Sequence, residues 1–191
     1  MASSRAEIQN SALRKLGAER ITVDTDTNTR ARLVRDSYPL MRDKVLRSHP
    51  WKFAISYQEL AQVSPQPDDV FDYDYVYQLP SDCLRVLSTD LPVDSNWTEI
   101  EGGRIACNSS TLIVKFIKRI EDVSAFDANF CEVLSWEIAV DIAYALTQSS
   151  SAVQTAEAGL KKAIGEARSY SAQIGSVTQV NSSGWLDARR R

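Results

Sequence analysis

Apolar positions along this chain change their period several times, and each change marks the edge of an element. Ile8, Ala12, Leu13 and Leu16 recur at helical spacing and Gly17 offers a C-terminal stop, which predicts a first helix over about 4–16. "ERITVDTDTNT" follows as a short extended piece and a polar turn rich in capping residues. From about Asn28 the helical spacing returns in Ala31, Val34, Tyr38, Met41 and Val45, with Arg30, Arg32, Arg35, Asp36, Arg42, Asp43 and Arg47 marking the wet side. Pro39 removes a backbone donor inside this pattern and predicts a kink or a break into two shorter helices. Pro50 ends the element, and Trp51, Phe53 and Ile55 then alternate with Lys52 and Ala54 at the period of a strand.

"QVSPQPDDVFDYDY" is a loop punctuated by prolines, acidic and aromatic at once. After it come short strand patterns in "YVYQL", "CLRVLS", "WTEIE", "RIACN" and "TLIVKFIKRI", with Gly102-Gly103 placed as a hairpin turn. Residues 52–120 thus read as a small, mainly antiparallel sheet. Helical periodicity resumes over 129–148, "SSSAV" interrupts it, and 153–174 form a last alanine-rich helix that Gly159, Gly165 and Gly175 weaken or end. The order helices, sheet, helices predicts an α+β fold in which a helical bundle from the two ends packs together, over about 4–49 and 129–174, with the sheet inserted. Residues 1–175 are expected to form one domain and 176–191 a flexible tail, polar and basic apart from Trp185 and Leu186.

Hydrophobic residues at 43% and charged residues at 25% of 191 positions fit an ordinary folded core. A net charge of −3 gives no overall basic footprint for gripping nucleic-acid phosphates. No apolar run reaches the length of a membrane span, and the amphipathic start "MASSRAEIQNSALRKLG" lacks the continuous apolar stretch of a signal peptide, so a soluble protein made inside the cell is expected. Cys83, Cys107 and Cys131 lie far apart without close pairing, which predicts reduced, partly buried thiols instead of a zinc site or a disulfide framework.

Chemistry finds few footholds. His49 is the lone histidine, and no GxSxG, HExxH or GxxxxGK[ST] pattern accompanies it; next to Pro50 and Trp51 it reads as a C-terminal helix cap or a packing group, its charge suited to the negative end of the dipole. His49, Pro50, Trp51 and Phe53 are therefore assigned to a structural corner. Asp68, Asp69, Asp72 and Asp74, interleaved with Phe71, Tyr73, Tyr75 and Tyr77, lack the glycine and glutamate of a calcium loop and read as a surface that lies on another protein. Phe71, Tyr73 and Tyr75, with Trp185, Arg189, Arg190 and Arg191 of the tail, are the expected partner-interface residues. No catalytic residue, cofactor or metal ligand is assigned. Two rival readings are a polysaccharide or cell-wall hydrolase using Asp72, Asp74 and Glu99, and a small DNA-binding regulator using the arginine-rich helix over 30–47.

"RDKVLRSHPWKFA", "YVYQLPSDCLRVL" and "LSWEIAVDIAYALTQSSSAVQTAEAGLKKAIGEARSYSAQIGS", taken in this order, resemble the tail tubular protein A family, the head-to-tail adaptors of short-tailed, T7-like bacteriophages and related prophages. The resemblance covers nearly the whole chain, including the closing "SGWLDARRR". It implies a non-enzymatic virion protein of the phage tail, synthesised in the bacterial cytoplasm, that forms a twelvefold ring of identical copies beneath the portal protein. Such a ring continues the DNA channel without binding DNA specifically and carries the nozzle, tubular protein B, and in some relatives tail fibres. On the same resemblance Trp51 and Phe53 anchor the helix-to-sheet corner, while Leu79, Pro80, Asp82 and Leu84 turn the chain into the next strand.

Overall fold

The computed structural model of the protein describes residues 4–22, 28–64, 72–92 and 95–174. Its first helix, α1 (Arg5–Lys15), is closed at both ends by local chemistry. Ser4 Oγ accepts the Glu7 N–H at 3.1 Å while the Glu7 carboxylate accepts the Ser4 N–H at 2.8 Å, a reciprocal capping box. At the other end Gly17 takes φ +70°, which lets Ala18 N–H reach the Leu13 carbonyl and Gly17 N–H the Arg14 carbonyl, both at 3.0 Å. Asn10 then exchanges two hydrogen bonds with the backbone of Ile21, folding the connection back onto α1.

Asn28 caps α2 (Thr29–Ser48) by accepting the Ala31 N–H at 2.8 Å. Of the kink or break expected at Pro39, the break does not occur: α2 is a single helix of 20 residues with Pro39 inside it. Pro39 and Leu40 lie on the exposed side, so the donor that proline lacks leaves a gap toward water, while Val34, Tyr38, Val45 and Leu46 hold the other side to the core. Arg42 departs from its predicted place on the wet side. It is buried and paired with Asp43 at 2.8 Å and Glu121 at 3.7 Å.

Trp51, Phe53 and Ile55 do not continue as a strand. Lys52–Ala54 forms a 3-10 turn that buries Trp51 and Ala54, three residues apart, and β1 (Ile55–Glu59) begins only afterwards. The predicted strands then appear as β2 (Tyr75–Gln78), β3 (Cys83–Thr89), β4 (Trp97–Ile100), β5 (Arg104–Cys107) and β6 (Ile113–Lys118). Gly102 and Gly103 turn the β4–β5 hairpin at φ +78° and +66°, a region glycine enters without a Cβ clash.

These strands make two antiparallel sheets where one was expected, in the orders β1-β6-β3 and β2-β5-β4. The reason lies just past β1. Leu60 N–H still bonds to Leu112 beside the first sheet, but Gln62 bridges Tyr77 and Val63 bonds to Val76, so the chain crosses to the second. Leu60, Tyr77, Val86, Ile105, Cys107, Leu112, Val114 and Phe116 fill the space between.

A second apolar core lies among the helices, and α3 (Ala128–Thr147) is its axis. Phe130, Leu134 and Ile138 are fully buried along it, and α1, α2 and α4 (Ser150–Ile174) all pack against it. The expected interruption by "SSSAV" shrinks to Gln148 and Ser149: Gln148 adopts the left-handed conformation at φ +52°, and Ser149 Oγ accepts the Ala152 N–H at 3.4 Å, so the following serines start α4. Strand β6 is the wall the two cores share, with Phe116 turned to the sheets and Ile117 to the helices. The architecture is α+β, with the β body inserted between the first and last pairs of helices.

Candidate functional site

The junction between helices and sheets gathers the residues singled out in the corner. Pro50 stops α2, and Trp51 folds back so that its indole N–H donates to the Val45 carbonyl at 2.9 Å. Its ring meets Phe130 edge-on at 5.2 Å between centroids, Phe53 meets Phe130 at 5.2 Å, and Phe126 meets Phe130 at 4.6 Å. Aromatic pairs in such tilted and edge-on contact add about 0.5–1.5 kcal/mol each beyond burial. The corner is a packed aromatic knot joining α2 and the 3-10 turn to the start of α3.

His49 sits at the rim of this knot, 5.0 Å from Trp51 in an edge-on contact. It is the C-cap residue of α2, in the place expected for it. Burial first, then the neighbouring Arg168 and Arg85, push its pKa below the usual value of 6.5, with Asp127 opposing weakly. Its Nε2 is buried and has no hydrogen-bond partner among the described residues. Beside Arg47 in its last turn, the end of α2 meets Arg85 of β3, whose Nη1 donates to the Arg47 carbonyl at 3.0 Å. Nothing in the local pattern around Arg85 announced this role, because its partner lies on another element. Asp43 adds a second tie by accepting Arg119 Nε at 2.8 Å from the end of β6, and the turn from β2 to β3 closes through Cys83 N–H to the Pro80 carbonyl at 2.9 Å.

The acidic and aromatic loop is only partly within view. Asp68, Asp69 and Phe71 lie outside the described residues, as do Trp185, Arg189, Arg190 and Arg191. Asp72 is exposed and Tyr73 half-buried, and Asp74 is exposed with its N–H held by Asn108 Oδ1 at 2.9 Å. Tyr75 packs against the core between the sheets. Tyr77 is buried, its hydroxyl donating to the Ser109 carbonyl at 2.6 Å. The sheet register aligns Tyr75, Cys107 and Trp97, so Glu99 sits on the far edge strand two residues past the level of Tyr75 and three past that of Asp74. Asp74 and Glu99 are therefore separated by the whole width of the second sheet, about 10 Å across it, as well as along it. Helix α2 is less basic than its sequence suggests, because Arg42 is buried and Arg30 pairs with Glu19 at 2.9 Å.

Lysine next to serine is another arrangement that can carry chemistry, and Lys15 Nζ does lie 2.6 Å from Ser135 Oγ. Lys15 also donates to Glu132 at 2.9 Å and sits over the Trp136 ring at 4.8 Å, and burial lowers its pKa despite the carboxylate. Ser135 is only 1% exposed and donates its own proton to the Glu132 carbonyl, which leaves no room for a substrate. This cluster ties α1 to α3. None of the three cysteines is in a disulfide, and burial with Glu99 and Asp82 nearby raises the Cys83 thiol to about 11, so it is a poor nucleophile. Among the described residues no group of three or more His, Cys, Asp or Glu is placed to hold a metal ion, and no helix is long and apolar enough to cross a membrane.

What stands out on the surface is apolar. Leu40 on α2 is 68% exposed, Tyr144 on α3 61%, Tyr170 on α4 52% and Tyr57 on β1 66%, so both bodies present large side chains to their surroundings. Compared with known proteins, the chain matches no protein-family model and no curated sequence.

Proposed function

We propose that this protein is a structural component of a phage tail, a ring-forming adaptor that joins the portal to the tail nozzle and continues the DNA channel. One observation carries the reading: the three segments on which the resemblance rests, far apart in sequence, meet at the junction of helices and sheets. His49 and Trp51 of the first line a small cavity with Ile164, Ala167 and Arg168 of the third, and Arg85 of the second donates to the Arg47 carbonyl of the first at 3.0 Å. The resemblance thus falls on the joint that sets the two bodies against each other. In a ring, such a joint fixes the angle between a helical layer and a projecting β layer, so that copies repeat with one geometry.

The exposed Leu40, Tyr144, Tyr170 and Tyr57 fit contacts with neighbouring copies and with the portal or nozzle. Tyr73 and the tail residues Trp185, Arg189, Arg190 and Arg191 are further contact candidates on this reading, with tail fibres as an additional partner. The work is mechanical, and DNA passes through without specific binding.

Negative-stain microscopy of the purified protein, alone and mixed with portal rings from the same genome, tests the proposal. Added density forming a ring on the portal is the expected outcome. A subunit that ignores the portal at every concentration overturns it, and turnover of a polysaccharide abolished by Asp74→Asn or Glu99→Gln would favour the hydrolase instead.

A further inference from the structure

Helix α4 changes character at Gly165. Before it, Ala156 and Ala163 are buried and Gly159 fits beneath Trp136 of α3, where a Cβ would lie 2.5 Å from the ring. After it, Ala167 is the one buried position among the described residues, and Glu166, Arg168, Ser169 and Tyr170 are exposed. Glycine inside a helix is less favourable than alanine, and a Cβ at Gly165 would meet nothing within 4 Å, so no close packing offsets the weakness. The end of α4 is held by little, and a segment with few buried contacts opens first.

What holds it is the corner. Ile164, Ala167 and Arg168 close a cavity of about 10 Å³ with His49, Trp51 and Val133, a space for no more than one water. His49 Nε2 is buried and has no hydrogen-bond partner among the described residues. Three charged groups act on the ring: Arg168 from α4, Arg85 from β3 and Asp127 from the start of α3. The two cations outnumber the carboxylate, and Asp127 already accepts the Phe130 N–H at 2.7 Å. A proton on Nε2 would therefore enter a space without an acceptor, in the field of two guanidiniums.

We propose that protonation of His49 unlatches the end of α4, so that 166–174 leave the corner and fray from Gly165 while the rest of the helical core stays folded. Opening admits water to the imidazolium and parts it from Arg168, so the open form binds the proton more tightly, and by linkage each proton taken up favours opening. Burial and the two arginines hold the folded pKa below 6.5, so the latch stays shut above that pH and loosens below it until the folded pKa is reached. The inference concerns the isolated subunit and does not depend on the adaptor reading.

Hydrogen exchange of the full chain, read as protection factors so that the intrinsic pH dependence of exchange is removed, tests it. Between about pH 7.5 and about pH 5.5, where carboxylates at their ordinary values stay ionised, protection over 166–174 is expected to fall several-fold while α1 and the buried middle of α3 keep theirs. His49→Gln and His49→Asn, which carry no titrating ring, should each abolish the fall. Protection over 166–174 that does not change with pH overturns the proposal, as does a fall that persists in either variant. A fall shared equally by all the helices is global loosening and overturns it too, and this contrast within the unsubstituted chain decides the matter even where a His49 variant fails to fold.

Discussion

Helices α1 and α4 pack on the same helix, α3, by different means. Beside its buried Ile8, Ala12 and Leu13, α1 brings polar groups: Lys15 donates to Glu132 and Ser135, and Gln9 is 0% exposed with neither amide atom partnered among the described residues. The α4 seam is built from small residues, with Ala156, Ala163 and Ala167 buried and Gly159 beneath Trp136. Trp136 serves both, taking the Lys15 ammonium over its ring and Gly159 against its edge. A seam made by removing side chains depends on shape and is indifferent to ions. A seam made by hydrogen bonds and charge tolerates small displacements but carries desolvation costs and responds to salt and pH.

The largest expected effect separates the two at once. Gly159→Ala should destabilise the protein by about 1–3 kcal/mol, because Trp136 or α4 must move, and chemical denaturation reads it directly. A neutral result would mean that α4 is held loosely and the contrast is false. Lys15→Met should cost about 1 kcal/mol, since its carboxylate partner is half exposed and already solvated. High salt should shrink the gap between the wild type and Lys15→Met and leave that of Gly159→Ala unchanged; equal responses would show that the seams do not differ in kind.

Gln9→Met keeps the shape of the side chain and removes an unpartnered buried amide, so a gain of about 1 kcal/mol is expected. A loss of similar size would reveal that the amide is satisfied in solution. The smallest effect is the pH dependence at His49, on the α4 side of the molecule. With its folded pKa below 6.5, the unfolded chain takes up a proton first as pH falls, so stability should be full above about 6.5 and decline below it until the folded pKa is reached. His49→Gln should flatten that part of the stability profile relative to wild type; parallel profiles would mean that His49 carries no differential protonation.

Where elements begin and end was readable wherever the cause is local. Ser4, Glu7 and Gly17 frame α1 through groups three to five residues away, and the alternating strands from β2 to β6 fall where their period placed them. The misreadings share a different cause. Trp51 and Phe53 alternate like a strand, yet Phe130 and the Val45 carbonyl draw Trp51 inward and leave a 3-10 turn. Arg42 sits among wet residues, yet Asp43 and Glu121 hold it buried. His49 does cap α2 and pack on Trp51, but burial, Arg168 and Arg85, which lower its pKa, come from its tertiary surroundings. Tyr75, expected at an interface, is half-buried and packs against the core that the two sheets share.

The sequence by itself determined the fold class, the order of helices and strands, the glycine turn at 102 and 103 and the capping of α1. Those follow from dihedral preference and from hydrogen bonds that close within a turn of chain, and such forces act before any distant segment arrives. Only the tertiary structure decided that the strands divide into two sheets, that β6 is shared by two cores, that Gly159 must be glycine and that Arg85 caps α2. Each depends on two surfaces meeting across a long loop, where close packing and the removal of charge from water set the energies, and neither is written in the spacing of neighbours.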